Sequence, residues 1–315
     1  MTAAQKHVVA IGLSAAIVSV SDERPCVLIV KHPGDSGDAL PFGPFDPLQH
    51  RTLEIGLRTW VAEQTYLDLG YTEQLYTFGD RGRHELKPGE GPRMVSVGYL
   101  ALTRQAGALK APDTLWRDWY RYFPWEDWRS EQPAIIAEAI APALRAFAKA
   151  APDSVCADLR RERARLCFGL EGLAWDEEKV LERYELLYEA GLVRESARDG
   201  RANAERALAL GDGMVFDHRR ILATAIARLR GKMKYRPVVF ELMPPSFTLL
   251  ELQRTVEAIS GIRLHKQNFR RLVEGTGKVS SLARGRPAEL FRFRREVLRE
   301  RPSPGVRLGA RRTGT

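Results

Sequence analysis

Residues 266–271, Lys-Gln-Asn-Phe-Arg-Arg, gather five polar side chains with hydrogen-bond donors around one apolar residue. Gln267 and Asn268 can pair bidentately with an adenine edge, Arg270 and Arg271 with guanine or phosphate, and Lys266 with phosphate. Phe269 is the core anchor that would leave the other five facing outward. Downstream, Lys278 and the turn Arg284-Gly285-Arg286-Pro287 add compact cations suited to a phosphate or a narrow minor groove. Arg254, one apolar-striped segment earlier, stands where it could touch backbone phosphate.

The elements that must hold these groups are legible nearby. "FTLLELQRTVEAISG" has a helical apolar stripe, Ser and Thr at its start and Gly261 as a stop. "HKQNFRRLVEG" is a second helix ending at Gly275, and "KVSSLA" with "ELFRFRR" forms a basic hairpin. Helix, short turn, helix and hairpin make a winged helix-turn-helix, and double-stranded DNA is its expected partner. Charge agrees. The net +9 is all at this end, because the last 55 residues hold 15 Lys and Arg against 4 acids, while residues 1–130 sum to −2.

The front of the chain reads differently. Strands are expected over residues 7–20, 26–31, 73–80 and 93–103, with a Gly, Pro and Asp-rich loop at 32–50. Leu53, Leu57, Trp60 and Val61 recur at helical spacing, so residues 53–66 form an amphipathic helix. Four long helical patterns fill 131–235, and the Gly-bearing stretch 196–215 reads as a loop. The expected divisions are 1–130, a mixed strand and helix unit; 131–235, helical; and 236–315, the winged helix with a basic tail. The fold class is therefore α+β. Three scattered cysteines, without a CxxC pair, point to a reduced cytoplasmic chain without a structural metal. The apolar start is better read as a hairpin strand than as a signal peptide, and no stretch is long enough to span a membrane.

One pattern bears on catalysis. Nudix hydrolases carry the signature G-x5-E-x7-R-E-U-x-E-E-x-G-U, whose carboxylates gather Mg²⁺ on a pyrophosphate. Leu40-Pro41-Phe42-Gly43 resembles the start of that loop, but Gln49 stands at the first Glu position. Aligning Thr65-Tyr66 with the usual Thr-Gly puts Thr59, Trp60, Glu63 and Gln64 at the Arg, Glu, Glu and Glu positions. Aligning Arg58 with the Arg puts Thr59, Ala62 and Glu63 at the three Glu positions. In both registers only Glu63 remains acidic, so no catalytic residue, no metal site and no efficient hydrolysis are expected.

Together "LPFGPF", "QLYTFGDRGR", "RMVSVGYLAL", "FPWEDW", "VFDHRRILATAIARLRGKMKYRPVVFELMPPSFTLLELQ" and "KQNFRRLVEGTGKV" resemble the Nudix-related, NrtR-like transcriptional regulators of NAD metabolism. About 85 mostly helical residues separate "FPWEDW" from "FDHRRIL", a spacing similar to the alphaproteobacterial NadQ-type branch. The resemblance implies an N-terminal Nudix-like α/β/α sandwich, a central helical insertion and a C-terminal winged helix. It also implies a homodimeric repressor of NAD biosynthesis or salvage genes with an adenine-nucleotide effector, such as ADP-ribose, NAD or ATP, and no cofactor. On that footing Lys31, Arg81 and Arg83 are candidates for the phosphates, Phe42 or Phe78 for the base, and Gly43 for close backbone approach. The alternative is an active Nudix hydrolase of ADP-ribose-like pyrophosphates with an accessory nucleic-acid-binding domain.

Overall fold

The computed structural model describes residues 9–31, 37–80, 93–104, 109, 111–201, 208, 210–275, 279–283, 289–294 and 296. Strand Val9–Ser21 (β1) is the axis of the front half. It turns through Asp22 and Glu23, both at positive φ (50° and 60°), into Arg24–Val30 (β2). Positive φ at both turn residues matches a tight hairpin to the strand twist. Farther back β1 pairs antiparallel with Phe42–Pro44 (β3), and along its length it runs parallel to Arg93–Leu102 (β5). Tyr71–Phe78 (β4) and Thr114–Asp118 (β6) are the outer strands, giving the order β4-β5-β1-β2-β6 with β3 beside β1. The sequence reading missed β3 and β6: three and five residues long, they are defined by their neighbours rather than by a periodic pattern.

Helices cover both faces of the sheet. On one side lies Leu53–Thr65 (α1), capped by Thr52, whose hydroxyl accepts the Ile55 N–H at 3.1 Å, and closed by Tyr66 at φ 55°. Its Leu57 and Val61 pack with Leu13, Ile17, Leu28 and Tyr99. The opposite face is covered by His218–Tyr235 (α6), which touches β1, β4 and β5. The layers are thus an α/β/α sandwich whose second helix comes from far beyond β6. Among the described residues no helix is long and apolar enough to cross a membrane.

The central stretch is helical, as its pattern requires: a π-helical turn, Ile136–Ile140, leads into Ala141–Lys149 (α2), then Ser154–Phe168 (α3) and Val180–Glu189 (α4). Part of the expected 196–215 loop is a helix instead, Arg194–Arg198 (α5). Its Glu195 is buried, accepting the Met214 N–H at 3.0 Å and an Arg219 N–H at 3.2 Å, which is the tertiary reason that this short helix forms. The winged helix follows as Leu249–Ser260 (α7), Lys266–Gly275 (α8), Val279–Ala283 (β7) and Leu290–Phe293 (β8). Thr248 and Glu251 form a reciprocal capping box at the start of α7. Phe247 pairs its backbone with Phe291 and so lays a third segment beside the hairpin.

A buried ion cluster joins these parts. Glu126, in the "FPWEDW" turn, receives Nε of Arg183 (α4) at 2.6 Å, its second nitrogen at 2.9 Å and an Arg230 (α6) nitrogen at 2.7 Å. All three residues are about fully buried. Arg230 also donates to the Ile259 carbonyl at the end of α7, and Tyr120 donates to the neighbouring Ala258 carbonyl. Burial pushes the Tyr120 hydroxyl up to about 12, so it remains a donor at neutral pH. Gly261, at φ 73°, closes α7 where a Cβ would stand 2.3 Å from the Glu126 carbonyl oxygen. Removing one member of a buried charge cluster leaves the others uncompensated. Glu126→Gln is therefore expected to lower unfolding free energy by about 3–5 kcal/mol, measured by denaturant titration of the full chain.

Candidate nucleotide pocket and nucleic-acid interface

A cavity of about 240 Å³ opens over β1, β3 and β5. Phe42, Gly43 and Pro44 form one wall, Ser14, Ser96 and Met94 the floor, and Phe216 and His218 the cover. Phe42 meets Phe216 and His218 edge to face, with centroids 5.4 and 5.0 Å apart. The Leu40 N–H donates to His218 Nδ1 at 3.1 Å, so the proton of the neutral ring sits on Nε2. The Ser14 and Ser96 hydroxyls are 3.1 Å apart. Apolar and aromatic walls with a few polar groups suit a flat heterocycle, and the volume lies below the roughly 300–1,000 Å³ of a complete small-molecule site. No cation lines this cavity among the described residues.

α1 approaches the same wall with groups that cannot hold a metal. Trp60 Nε1 donates to the Pro44 carbonyl at 2.7 Å. The Gln64 amide accepts the Phe42 N–H at 3.2 Å and donates to the Phe42 carbonyl at 2.6 Å, a two-bond clamp. These are two of the positions at which the first register expects glutamate. Glu63 is exposed, and Arg58 bonds the Gly70 carbonyl and the Thr72 hydroxyl beyond the helix. Among the described residues no group of three or more His, Cys, Asp or Glu is gathered for a metal ion.

The other candidates for nucleotide contact are dispersed. Gly43 lies beneath Trp60, where a Cβ would be 2.2 Å from the indole, so its lack of a side chain serves this packing. Lys31 is exposed at the end of β2 and does not line the cavity. Phe78 is buried, with the Arg220 guanidinium 5.3 Å above its ring, and does not line the cavity either. Arg81 and Arg83 lie outside the described residues. Ser14, Ser96, Phe216 and His218 had no role in the sequence reading; "FDHRR" was visible as a segment, but only folding brings its ring pair over β3.

At the other end, α8 buries Phe269 and Val273 and leaves Lys266, Gln267, Asn268, Arg270 and Arg271 exposed. Two of these are ordered by neighbours: Arg271 donates to the Asn268 side-chain oxygen at 2.8 Å, and Arg270 pairs with Glu274 at 2.9 Å. Glu257 fixes the angle between α7 and α8. Its buried carboxylate accepts from the Leu264 N–H at 2.9 Å, Gln253 at 2.8 Å and Arg263 at 2.7 Å. Burial alone would raise its pKa, but these bonds outweigh burial and hold it below the usual glutamate range. Arg254 is committed as well, to Glu257 at 3.1 Å and to Glu23 of the β1–β2 turn at 3.4 Å. Lys278, Arg284 and Arg286 lie outside the described residues.

Sandwich and helical pair with a basic wing define a Nudix-like domain joined to a winged helix-turn-helix. Residues 239–293 match the NrtR DNA-binding winged helix domain. The ADPR-responsive transcriptional repressor NtrR of Acinetobacter baylyi is 45% identical over 94 residues, 28% of this chain and 37% of that protein. The matched part is thus little more than a third of the relative. The fold is shared more widely. The Shewanella oneidensis NrtR solved with a 27mer DNA aligns at TM-score 0.50 and 20% identity, covering 91% of this chain and 94% of that one. A MutT/nudix family protein from Enterococcus faecalis aligns at TM-score 0.54 and 16% identity, covering 93% and 90%. Residues 239–293 are thus of the NrtR winged-helix type, and the chain as a whole shares the fold of the NrtR and MutT/nudix structures.

Because Gly43 and Trp60 occupy one space, Gly43→Ala is expected to cost about 1–3 kcal/mol of stability through overpacking. In the Gly43→Ala/Trp60→Ala double variant the combined loss should fall short of the sum by about 1 kcal/mol in chemical denaturation. Additive losses would mean that the two residues do not share this contact.

Proposed function

We propose that the protein is a DNA-binding transcriptional repressor of NAD biosynthesis or salvage genes, with a non-catalytic Nudix-like domain that senses an adenine nucleotide. The observation that carries this reading is the outer face of α8. Five side chains able to donate to bases or phosphates stand exposed around a buried Phe269, on a winged helix of the NrtR type. ADP-ribose is the leading effector, because the Acinetobacter baylyi relative is ADPR-responsive and the Phe42, Phe216 and His218 slot suits an adenine ring. NAD and ATP carry the same ring. Lys31, Arg81 and Arg83 are the proposed phosphate contacts, and Arg254, Lys278, Arg284 and Arg286 the backbone contacts on DNA.

In this reading the chain works as three parts, a sensor over 1–130, a helical insertion and linker helix over 131–235 and a reader over 236–315. It acts in the cytoplasm as a homodimer on a near-palindromic operator, since protein and half-site symmetry match. Ligand shifts the population of reader placements. Hydrolysis is not part of the proposal: in the described structure Trp60 and Gln64 bind the β3 backbone instead of a cation.

A gel shift at physiological salt with DNA upstream of NAD-synthesis genes, with and without ADP-ribose, tests the reading. A sequence-specific shift that responds to ADP-ribose is expected, and its absence overturns the repressor assignment. Turnover of ADP-ribose with Mg²⁺ well above background would instead favour the hydrolase. Asn268→Ala and Arg270→Ala should each weaken specific binding by about 1–3 kcal/mol while leaving nucleotide affinity unchanged.

Glu23 provides a separate test. It sits 3.4 Å from Arg254 and 3.9 Å from Arg263, so it competes with DNA phosphate for both cations. Its half-exposed pairs are worth little in stability. Glu23→Gln is expected to steepen the slope of log Kd against log salt by about one, without altering sequence preference.

A further inference from the structure

The hairpin of α2 and α3 does not close completely. A cavity of about 200 Å³ remains between the two helices and the loop that follows them. Its floor is apolar: Leu144, Ala148 and Ala164 are buried, and Leu170 is partly so. The alanines are too small to fill the gap that the facing helix leaves, so the void comes from side-chain size. Leu170 is held in place by a tightly wound loop in which Gly169, Glu171 and Gly172 all have positive φ (59°, 56° and 83°). A non-glycine residue in that region is uncommon and marks a loop bent by its surroundings.

The mouth has the opposite character. Arg145 and Lys149 stand one turn apart on α2, and Arg161 and Arg165 one turn apart on α3, all four lining the cavity. The α3 pair is compensated, Arg161 by Asp158 at 2.5 Å and Arg165 by Glu162 at 2.5 Å and Glu171 at 2.7 Å. Arg145 and Lys149 form no ion pair among the described residues. Arg145 and Lys149 therefore stand uncompensated over an apolar floor, with Glu171 at the same mouth committed to Arg165, on helices far in sequence from both the nucleotide pocket and α8.

We propose that this cavity is a second ligand site, for a small amphiphilic monocarboxylate with an aliphatic or single-ring body. Its apolar part fills the space between Leu144, Ala148, Ala164 and Leu170, and its carboxylate meets Arg145 and Lys149. At interior packing density the cavity holds about ten heavy atoms. Nucleoside polyphosphates do not suit it, because their apolar surface is small and their charge exceeds what two cations offset. Most of the affinity comes from the body, at about fourfold for each buried methylene, and the exposed cations supply selection for the anion.

The test is calorimetric titration of the full chain with octanoate, octanamide and butyrate. Octanoate is expected to saturate at one site per chain, octanamide to bind about tenfold more weakly, and butyrate about a hundredfold or more. Ala148→Leu fills the cavity and should abolish octanoate binding with the helical circular-dichroism signal unchanged. If that variant unfolds, Ala164→Leu serves the same purpose from α3. Arg145→Gln with Lys149→Gln should cost about tenfold for octanoate and nothing for octanamide. Absence of saturable octanoate binding overturns the proposal. So does equal binding of acid and amide, or binding that survives filling of the cavity in a folded variant.

Discussion

The carboxylate of Glu126, held between the guanidinium groups of Arg183 and Arg230, is the constraint on which the arrangement of the chain depends. A carboxylate and two guanidinium groups withdrawn from water are costly unless nearly every donor is used. Here the donors are used: Arg183 also reaches the Cys167 and Asp176 carbonyls, and Arg230 the Ile259 and Glu177 carbonyls. Each bond ties a different segment to the same point. The cluster therefore specifies where α3, α4, α6 and the end of α7 meet, something that apolar packing alone would leave degenerate. It is also why the central helices are continuous with the rest of the core rather than appended to it.

Helix α6 turns that packing into a connection between sites. At its start His218 accepts the Leu40 N–H and covers the aromatic pocket, while Arg219 holds the Tyr122 and Leu210 carbonyls. Arg230, twelve residues later and about 18 Å along the axis, anchors the last turn of α7. A group inserted between Phe42 and Phe216 bears on His218, and any resulting shift of α6 bears on α7. Glu257 then carries the position of α7 to α8 through the Leu264 N–H. The physical warrant for such coupling is this short series of hydrogen-bonded groups along α6 and α7, not the distance between the sites.

The basic reader was legible from sequence because its signals are local. Phe269 stands as one apolar residue among polar ones, Gly261 ends the preceding helix, and the surplus of positive charge is concentrated in the same stretch. The sandwich was half legible, since β1, β2, β4, β5 and α1 have clear periodicity. β3 lacked it, and so did α5, whose five residues are helical because Glu195 is engaged by distant partners. The pocket was the least legible part. Ser14, Phe42, Ser96 and His218 come from four separated segments, and no single window contains more than one of them. The role of Glu126 is not legible in its segment, because its partners lie 57 and 104 residues away.

The helix that resembles a catalyst stripped of its acids has a more definite role in the folded chain. An active site of that type would keep carboxylates pointed at a cation and leave the opposite strand to other contacts. Here Trp60 and Gln64 face the strand and take up its backbone groups, so the Phe42–Pro44 wall is fastened to α1 by three hydrogen bonds. A glutamate at position 64 has no N–H to give the Phe42 carbonyl, and a smaller residue at 60 opens a gap above Gly43. Restoring metal ligands would thus undo the wall that shapes the pocket. Metal chemistry and a rigid aromatic slot compete for the same two positions, and this sequence has committed both to the slot.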